Sequence, residues 1–241
     1  MNGSALNARL LSAAEFVRQN ATFADIGTDH AYLPLFLLDE GRIRFAYCCD
    51  INEGPLASAK KNAEERDRLT ETDFILTDGA AVLDGNGITD YAICGMGGEL
   101  IADIIDRAPH LKDKDINLIL QPMTRQEKLR KYLASAGFEI THESYSFDAG
   151  KYYVCLLATY SGKCREITEI EAVAGSPDSV FSGIEHREKY LKAKLLSLNR
   201  AAKGKKDAGI DCSDDEELIA SLNDLILKGN QNERKTALSE I

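Results

Sequence analysis

The chain has 241 residues, enough for one sizeable α/β domain with an appendage, and its 44% hydrophobic and 28% charged content is ordinary for a globular protein. No stretch reaches the roughly 20 uninterrupted apolar residues of a membrane span, and the amphipathic start is too often broken by polar residues for a secretory signal. The net charge of −10 argues on average against a nucleic-acid partner, yet it hides a contrast: Ser182 to Lys206 carries eight Lys or Arg against two acidic residues, and Asp207 to Ile241 three against nine.

The first predicted element is a helix with Leu6, Leu10, Ala13, Ala14 and Val17 on one face. Strand-like runs then alternate with helix-like ones. TFADIG precedes AYLPLFLLDEG, FAYCCDI precedes GPLASAKKNAEERD, and DFILTDG precedes AAVLDG. DYAICGMGG and INLILQP are followed in the same way by ELIADIIDRAP and TRQEKLRKYLASAG. Short, continuously apolar strands are those buried on both faces of a parallel sheet, and their alternation with helices implies a doubly wound α/β fold with right-handed crossovers. FEITHESYSFDAGKYYVCLLATY has no helix between its two strands, so they pair antiparallel about Asp148, Ala149 and Gly150.

Past Tyr160, SGKCREITEIEAVAGSPDS reads as a connection with a little helix. Ile184, Leu191, Leu195 and Leu198 then mark one helical stripe, which KGKKDAGIDCSDD breaks. Leu218, Leu222 and Leu225, flanked by Ile219 and Ile226, mark a second, with Ser213 as its N-cap. The expected division is a sheet domain over residues 1–160 and a helical hairpin domain over 161–241. Cys48, Cys49, Cys94, Cys155, Cys164 and Cys212 form no C-x-x-C pair and the four histidines are scattered, a pattern that points to a reducing cytoplasm and to no metal site.

Sheets of this kind bind ligands at the carboxyl ends of their strands. Those ends offer Asp25, Gly27 and Asp29, then Asp50, then Asp78 and Gly79, then Gly95, Met96, Gly97 and Gly98. Asp50 can accept from both ribose hydroxyls of an adenosine, Asp78 from its amino group, and Gly27 lets the backbone approach it. Loop aspartates more often cap helices or make turns, but Gly27, Asp50 and Asp78 in order at matching strand ends favour a cofactor site. A dinucleotide turn needs G-x-G-x-x-G around a pyrophosphate, and Asp29 would repel that group. S-adenosylmethionine carries no phosphate and has a cationic sulfonium and ammonium, so a carboxylate in the turn becomes an asset.

ADIGTDHAYLP, CGMGGELI and LILQP together resemble the bacterial TrmK family of tRNA (adenine-N1)-methyltransferases, from about Leu6 to Tyr160 and more weakly beyond. The resemblance implies a Rossmann-like class I methyltransferase sheet with a terminal antiparallel hairpin, a small coiled-coil-like helical domain, S-adenosylmethionine as cofactor and adenine 22 of tRNA as target. The family usually has asparagine after LILQP, where this chain has Met123. The candidate cofactor-binding residues are Asp25, Gly27, Asp29, His30, Asp50, Ile51, Asp78, Gly79 and Gly95; those nearest the chemistry are Asp29, Gly95, Met96 and Gly97. Adenine N1 needs no base, so Asp29 is expected either to hold the cofactor ammonium or to face the cationic ring; its alternative is a helix cap. Tyr32 could stack on a base, but its spacing suits the buried face of its helix. Arg125, Lys128, Arg130, Lys192, Lys203, Lys205 and Lys206 are the expected tRNA contacts, with a solvated helix face as the bland alternative. A small-molecule methyltransferase and a non-catalytic RNA-binding protein on the same scaffold remain open, and the protein is expected to act as a monomer.

Overall fold

The computed structural model describes residues 6–239, with side chains as far as Lys228. Helix α1 (Ala8–Phe16) leads into β1 (Ala21–Ile26), α2 (Tyr32–Asp39), β2 (Ile43–Asp50), α3 (Glu53–Glu65) and β3 (Thr72–Leu76). Then come β4 (Asp90–Gly97), α4 (Gly98–Asp106), β5 (Asn117–Thr124), α5 (Gln126–Ser135), β6 (Phe138–Asp148) and β7 (Lys151–Tyr160). The chain closes with α6 (Glu169–Ala174), β8 (Val180–Ser182), α7 (Ile184–Asp207) and α8 (Ser213–Ser239).

The eight strands form one sheet in the order β3-β2-β1-β4-β5-β7-β6-β8. The first five are parallel and β7 runs antiparallel between β5 and β6. As the alternation requires, the inner strands are buried on both faces: Phe23 and Cys48 join one apolar cluster with α1, α2 and α3, while Ala24 and Cys49 face the other, with α4, α5 and the C-terminal helices. Ala149 and Gly150, with φ 45° and 78°, make the two-residue turn between β6 and β7 that the right-handed strand twist favours.

Four expectations change. AAVLDG, read as helix-like, gives only a single 3₁₀ turn at Ala81–Leu83, because Gly85 and Gly87 cut it short. Ile184 is 47% exposed, since it opens α7 before the helix meets the sheet; Leu191, Leu195 and Leu198 do pack inward. The lysine-rich KGKKD continues α7 to Asp207 rather than breaking it. The cap of α8 shifts by one residue: the Cys212 carbonyl accepts from Glu216 N–H, while Ser213 Oγ donates to Asp211.

The expected boundary after Tyr160 is crossed by packing. β8, which the sequence reading lacks, pairs parallel with β6, and α6 packs on α5. A capping box between Thr168 and Glu171 starts α6 despite its six residues. Helix α7 then packs back on β6 and β7 through Tyr190 and Leu191, while α8 lies on α7 and α6 and adds Leu222 and Ile226 to the same apolar cluster.

Candidate active site

The turn after β1 folds against β2, where the backbone N–H groups of Gly27 and Thr28 both donate to the Cys49 carbonyl at 2.8 Å. Gly27 has φ +78°, and a Cβ there would lie 2.1 Å from the Met96 ε-methyl, so glycine answers both the backbone angle and the thioether lying across the turn. His30 and Ala31 follow with φ 60° and 54°. Left-handed non-glycine residues cost about 1–2 kcal/mol each, and such strain gathers at functional sites. The Asn62 side-chain amide braces this turn by donating to the His30 carbonyl at 2.9 Å.

α2 begins with no side-chain capping bond, so Asp29 does not serve as its cap. The Asp29 side chain is 78% exposed and lies 3.2 Å from His30 Nε2. His30 stacks on Tyr32, with ring centroids 5.4 Å apart. Tyr32 is 38% exposed and not on the buried face of α2, because it is the first residue of the helix and its ring lies against His30.

Beneath the turn, Asp25 is buried and accepts from Thr28 Oγ1 at 2.7 Å. Burial raises its pKa from 3.8 to about 6; the Thr28 hydrogen bond opposes the rise and the nearby Asp50 charge adds to it. Asp50 closes β2. Its Oδ1 accepts from the Asn52 backbone N–H at 2.8 Å, and Oδ2 has no partner among the described residues. Ile51, Leu76 and Val82, on the segments that end β2 and β3, are each more than half exposed. A carboxylate oxygen beside exposed aliphatic side chains fits a ribose and the face of an adenine ring. Asp78 is engaged through one oxygen, accepting from Arg107 Nη1 at 2.7 Å, which leaves the other to meet an amino group. Gly79 is buried beside Ile104 and Arg107.

The glycine-rich segment Gly95–Gly98, the candidate acceptor side, lies where β4 slips against β5. Register shifts at Cys94/Met96 and Met96/Gly97 re-aim Met96 toward Gly27. A Cβ on Gly98 would meet the Arg125 carbonyl at 2.4 Å, so the start of α4 touches the entry to α5 through backbone. Gly95 N–H donates to Gln121 Oε1 at 3.2 Å, and Arg9 Nη1 donates to the same oxygen at 2.6 Å. Gln121 is fully buried. Arg9 escapes a reading of strand ends because it lies on α1, before the first strand; Gln121 stands inside LILQP.

Of the expected RNA contacts, Arg130 is misplaced. Its side chain is 1% exposed; Nη2 lies 2.7 Å from Glu143 Oε2 and Nη1 donates to the Ala172 carbonyl at 2.9 Å. The helical period puts Arg130 four residues from buried Gln126, on the sheet-facing side of α5, so it ties α5 to β6 and α6. The others are at the surface. Lys128 pairs with Glu99, whose carboxylate is 4.0 Å from Arg125 Nε. Lys192 pairs with Glu188 at 2.5 Å, Lys205 with Asp215 at 2.5 Å and Lys206 with Glu216 at 3.4 Å. Lys203 is exposed and forms no ion pair among the described residues. Among the described residues no group of three or more His, Cys, Asp or Glu suits a metal ion, and no helix is long and apolar enough to cross a membrane. Burial pushes the Cys49 thiol up to about 12.

Residues 6–156 match the methyltransferase domain family Methyltransf_18. The tRNA (adenine(22)-N(1))-methyltransferase of Bacillus subtilis (strain 168) is 30% identical over 202 residues, 84% of this chain and 79% of that protein. M. capricolum TrmK in complex with S-adenosyl-homocysteine is similar at a TM-score of 0.75 and 26% identity, over 92% of this chain and 97% of that one. A Streptococcus pneumoniae putative tRNA (m1A22) methyltransferase in complex with S-adenosyl-L-methionine is similar at 0.74 and 30% identity, over 89% and 97%. An acid-lined glycine turn on a sheet of order 3-2-1-4-5-7-6-8, with these similarities along nearly the whole length, leads to one assignment: the chain belongs to the tRNA (adenine(22)-N(1))-methyltransferase, or TrmK, family.

Proposed function

We propose that this chain methylates N1 of adenine 22 in tRNA, with S-adenosylmethionine as the methyl donor. The observation that carries the reading is the turn after β1: one glycine, a buried Asp25 beside Asp50, and no second glycine for a pyrophosphate. Carboxylates gathered there suit a cationic, phosphate-free adenosine derivative. When bound, S-adenosylmethionine supplies an electrophilic methyl group.

Asp50 Oδ2 would accept from the ribose hydroxyls, and Ile51 would cover one face of the adenine. Gly27 lets the backbone approach, with Met96 swinging aside on its unbranched chain. Asp25 and Asp29 offer negative charge to the ammonium or to the target ring. Transfer would join the in-plane lone pair of adenine N1 to the methyl carbon as the carbon–sulfur bond breaks and neutral S-adenosylhomocysteine leaves, so no proton would have to be removed first. The work of the protein is in-line positioning and compensation of the positive charge that develops on the base. The Gly95–Gly98 segment, where β4 runs directly into α4, is held by Gln121 and Arg9 and would provide a flat backbone surface for that base.

An adenine within folded RNA must be unstacked before N1 is reachable, and phosphate contacts are the source of that energy. Arg125, Lys128, Lys192, Lys203, Lys205 and Lys206 are proposed to supply them. Their exposed ion pairs are each worth only about 0–1 kcal/mol, so phosphates can displace the carboxylates. Residues 1–160 carry the chemistry in this reading and the helices beyond assist RNA binding, with the protein acting as a cytoplasmic monomer. Incubation with S-adenosylmethionine and unmodified tRNA should produce a reverse-transcription stop at a single adenine, because N1 methylation blocks Watson–Crick pairing. Absence of that stop, with cofactor binding intact, removes tRNA as the substrate.

A further inference from the structure

A concavity lies beside the Gly95–Gly98 segment, and none of the candidate cofactor-binding residues lines it. Its volume is about 850 Å³, and Met123, Arg125, Lys151, Tyr152, Tyr190 and Lys194 line it. Three parts of the fold meet there: the end of β5, the turn between β6 and β7, and one face of α7. Met123, 37% exposed, lines it two residues beyond Gln121, whose side-chain amide donates to the Met123 sulfur at 3.7 Å. β6 runs parallel to β8 and antiparallel to β7, and its last residues bring Phe147 and Tyr152 opposite each other. Their rings lie 4.8 Å apart and Phe147 is 44% exposed. The Lys194 ammonium crosses the groove, donating to Gln126 Oε1 at 2.7 Å and lying 3.7 Å from Glu127. Lys151 is exposed and forms no ion pair among the described residues.

We propose that this groove binds an unpaired RNA nucleotide adjacent to the one being methylated, its base against Tyr152 and its phosphate against Lys151 and Lys194. The inference rests on the tRNA reading above and extends it to a second nucleotide. Three observations select RNA as the occupant. The groove abuts the Gly95–Gly98 segment, since its lining residue Thr124 pairs with Gly97 and its lining residue Arg125 meets Gly98 through backbone. Its volume falls within the range of about 300–1,000 Å³ typical of ligand sites. Its rim is cationic and its wall aromatic, the pairing by which proteins hold single-stranded nucleic acid without reading sequence. Extrusion of the target adenine leaves its neighbour unstacked on one side, and an aromatic ring beside the acceptor replaces the lost stack. The Lys194 contacts to Gln126 and Glu127 are the ones a phosphate would replace, since a doubly engaged phosphate oxygen is a stronger partner for an ammonium than a neutral amide.

Crosslinking with the intact protein tests this. tRNA carrying 4-thiouridine beside the target adenine is irradiated with the wild-type chain and the adducts are mapped by mass spectrometry. Adducts within residues 147–152 or 190–197 are expected. In parallel, Tyr152→Leu, which keeps apolar volume and removes the ring, and Lys194→Met should each raise KM for tRNA about tenfold and leave the Kd for S-adenosylmethionine unchanged. Adducts confined to other segments, or an unchanged KM in both variants, overturn the groove assignment. Adducts joining two copies of the chain through this face overturn it in favour of self-association. If Tyr152→Leu melts early, the wild-type adducts and Lys194→Met decide. A wild-type protein that methylates tRNA while failing these tests refutes the groove alone; one that leaves tRNA unmodified refutes the tRNA reading itself.

Discussion

Replacing Asp25 with asparagine should stabilise the cofactor-free protein at neutral pH, and the gain should vanish in acid. The carboxyl is buried, and its pKa rises from 3.8 to about 6 on folding. A rise of that size makes the ionised group worse off in the fold by about 3 kcal/mol. Below about pH 4 the group is protonated in both states and contributes nothing. Between about pH 4 and pH 6 the folded state holds the proton more tightly, so stability falls as pH rises, and above that window the whole penalty is present. Asparagine keeps an oxygen to accept from Thr28 Oγ1 and carries no charge. For a chain of this length about 3 kcal/mol corresponds to a Tm increase of about 6–12 °C. Thermal melts followed by circular dichroism from about pH 4 to about pH 8 read the effect directly. A gain of equal size at every pH would refute the reasoning, and so would a loss at neutral pH. S-adenosylmethionine should raise the Tm of the wild type more than that of the variant, because its ammonium favours the ionised carboxyl.

Glu143→Gln leaves the Arg130 charge buried without its partner and should cost about 3–5 kcal/mol in denaturant titrations, with any effect on tRNA affinity following only from loss of fold. Gly27→Ala, at φ +78°, should destabilise the protein by about 1–2 kcal/mol and weaken cofactor binding measured by calorimetry. Charge reversal at Lys203, Lys205 and Lys206 together should weaken tRNA binding, flatten its salt dependence and leave cofactor affinity intact; equal tRNA affinity across a salt series would exclude this arm. Arg9→Ala frees the Gln121 side chain from one of its two donors and should lower kcat with little change in cofactor Kd in single-turnover assays.

The sheet was legible because its strands are continuous apolar runs punctuated by glycine and aspartate, and that pattern survives in sequence whatever the packing. The same runs locate the strand ends, so Asp25, Gly27, Asp50 and the Gly95–Gly98 turn could be named from spacing. What spacing does not carry is which face of a helix turns inward when both faces hold charges. Arg130 sits between Lys128 and Lys131 in the sequence, yet one points into the core and the others do not. Only the position of Glu143, thirteen residues on and in another element, decides the matter. β8 went unread for a related reason: three residues without alternation become a strand only because the edge of β6 is there to receive them. Arg9 and the groove beside Tyr152 likewise join residues from distant parts of the chain.

Helix α5 is fastened at its entry, by backbone against Gly98, and at its middle, by the buried Arg130. Each helical residue turns the chain by about 100° and advances it by about 1.5 Å. A single insertion between Arg125 and Arg130 would swing the guanidinium round to water while Glu143 stayed behind in the dark. The stretch from Arg125, against Gly98, to Arg130, against Glu143 and α6, is therefore a ruler of fixed count, and natural variation in this chain should fall in its loops before it falls there.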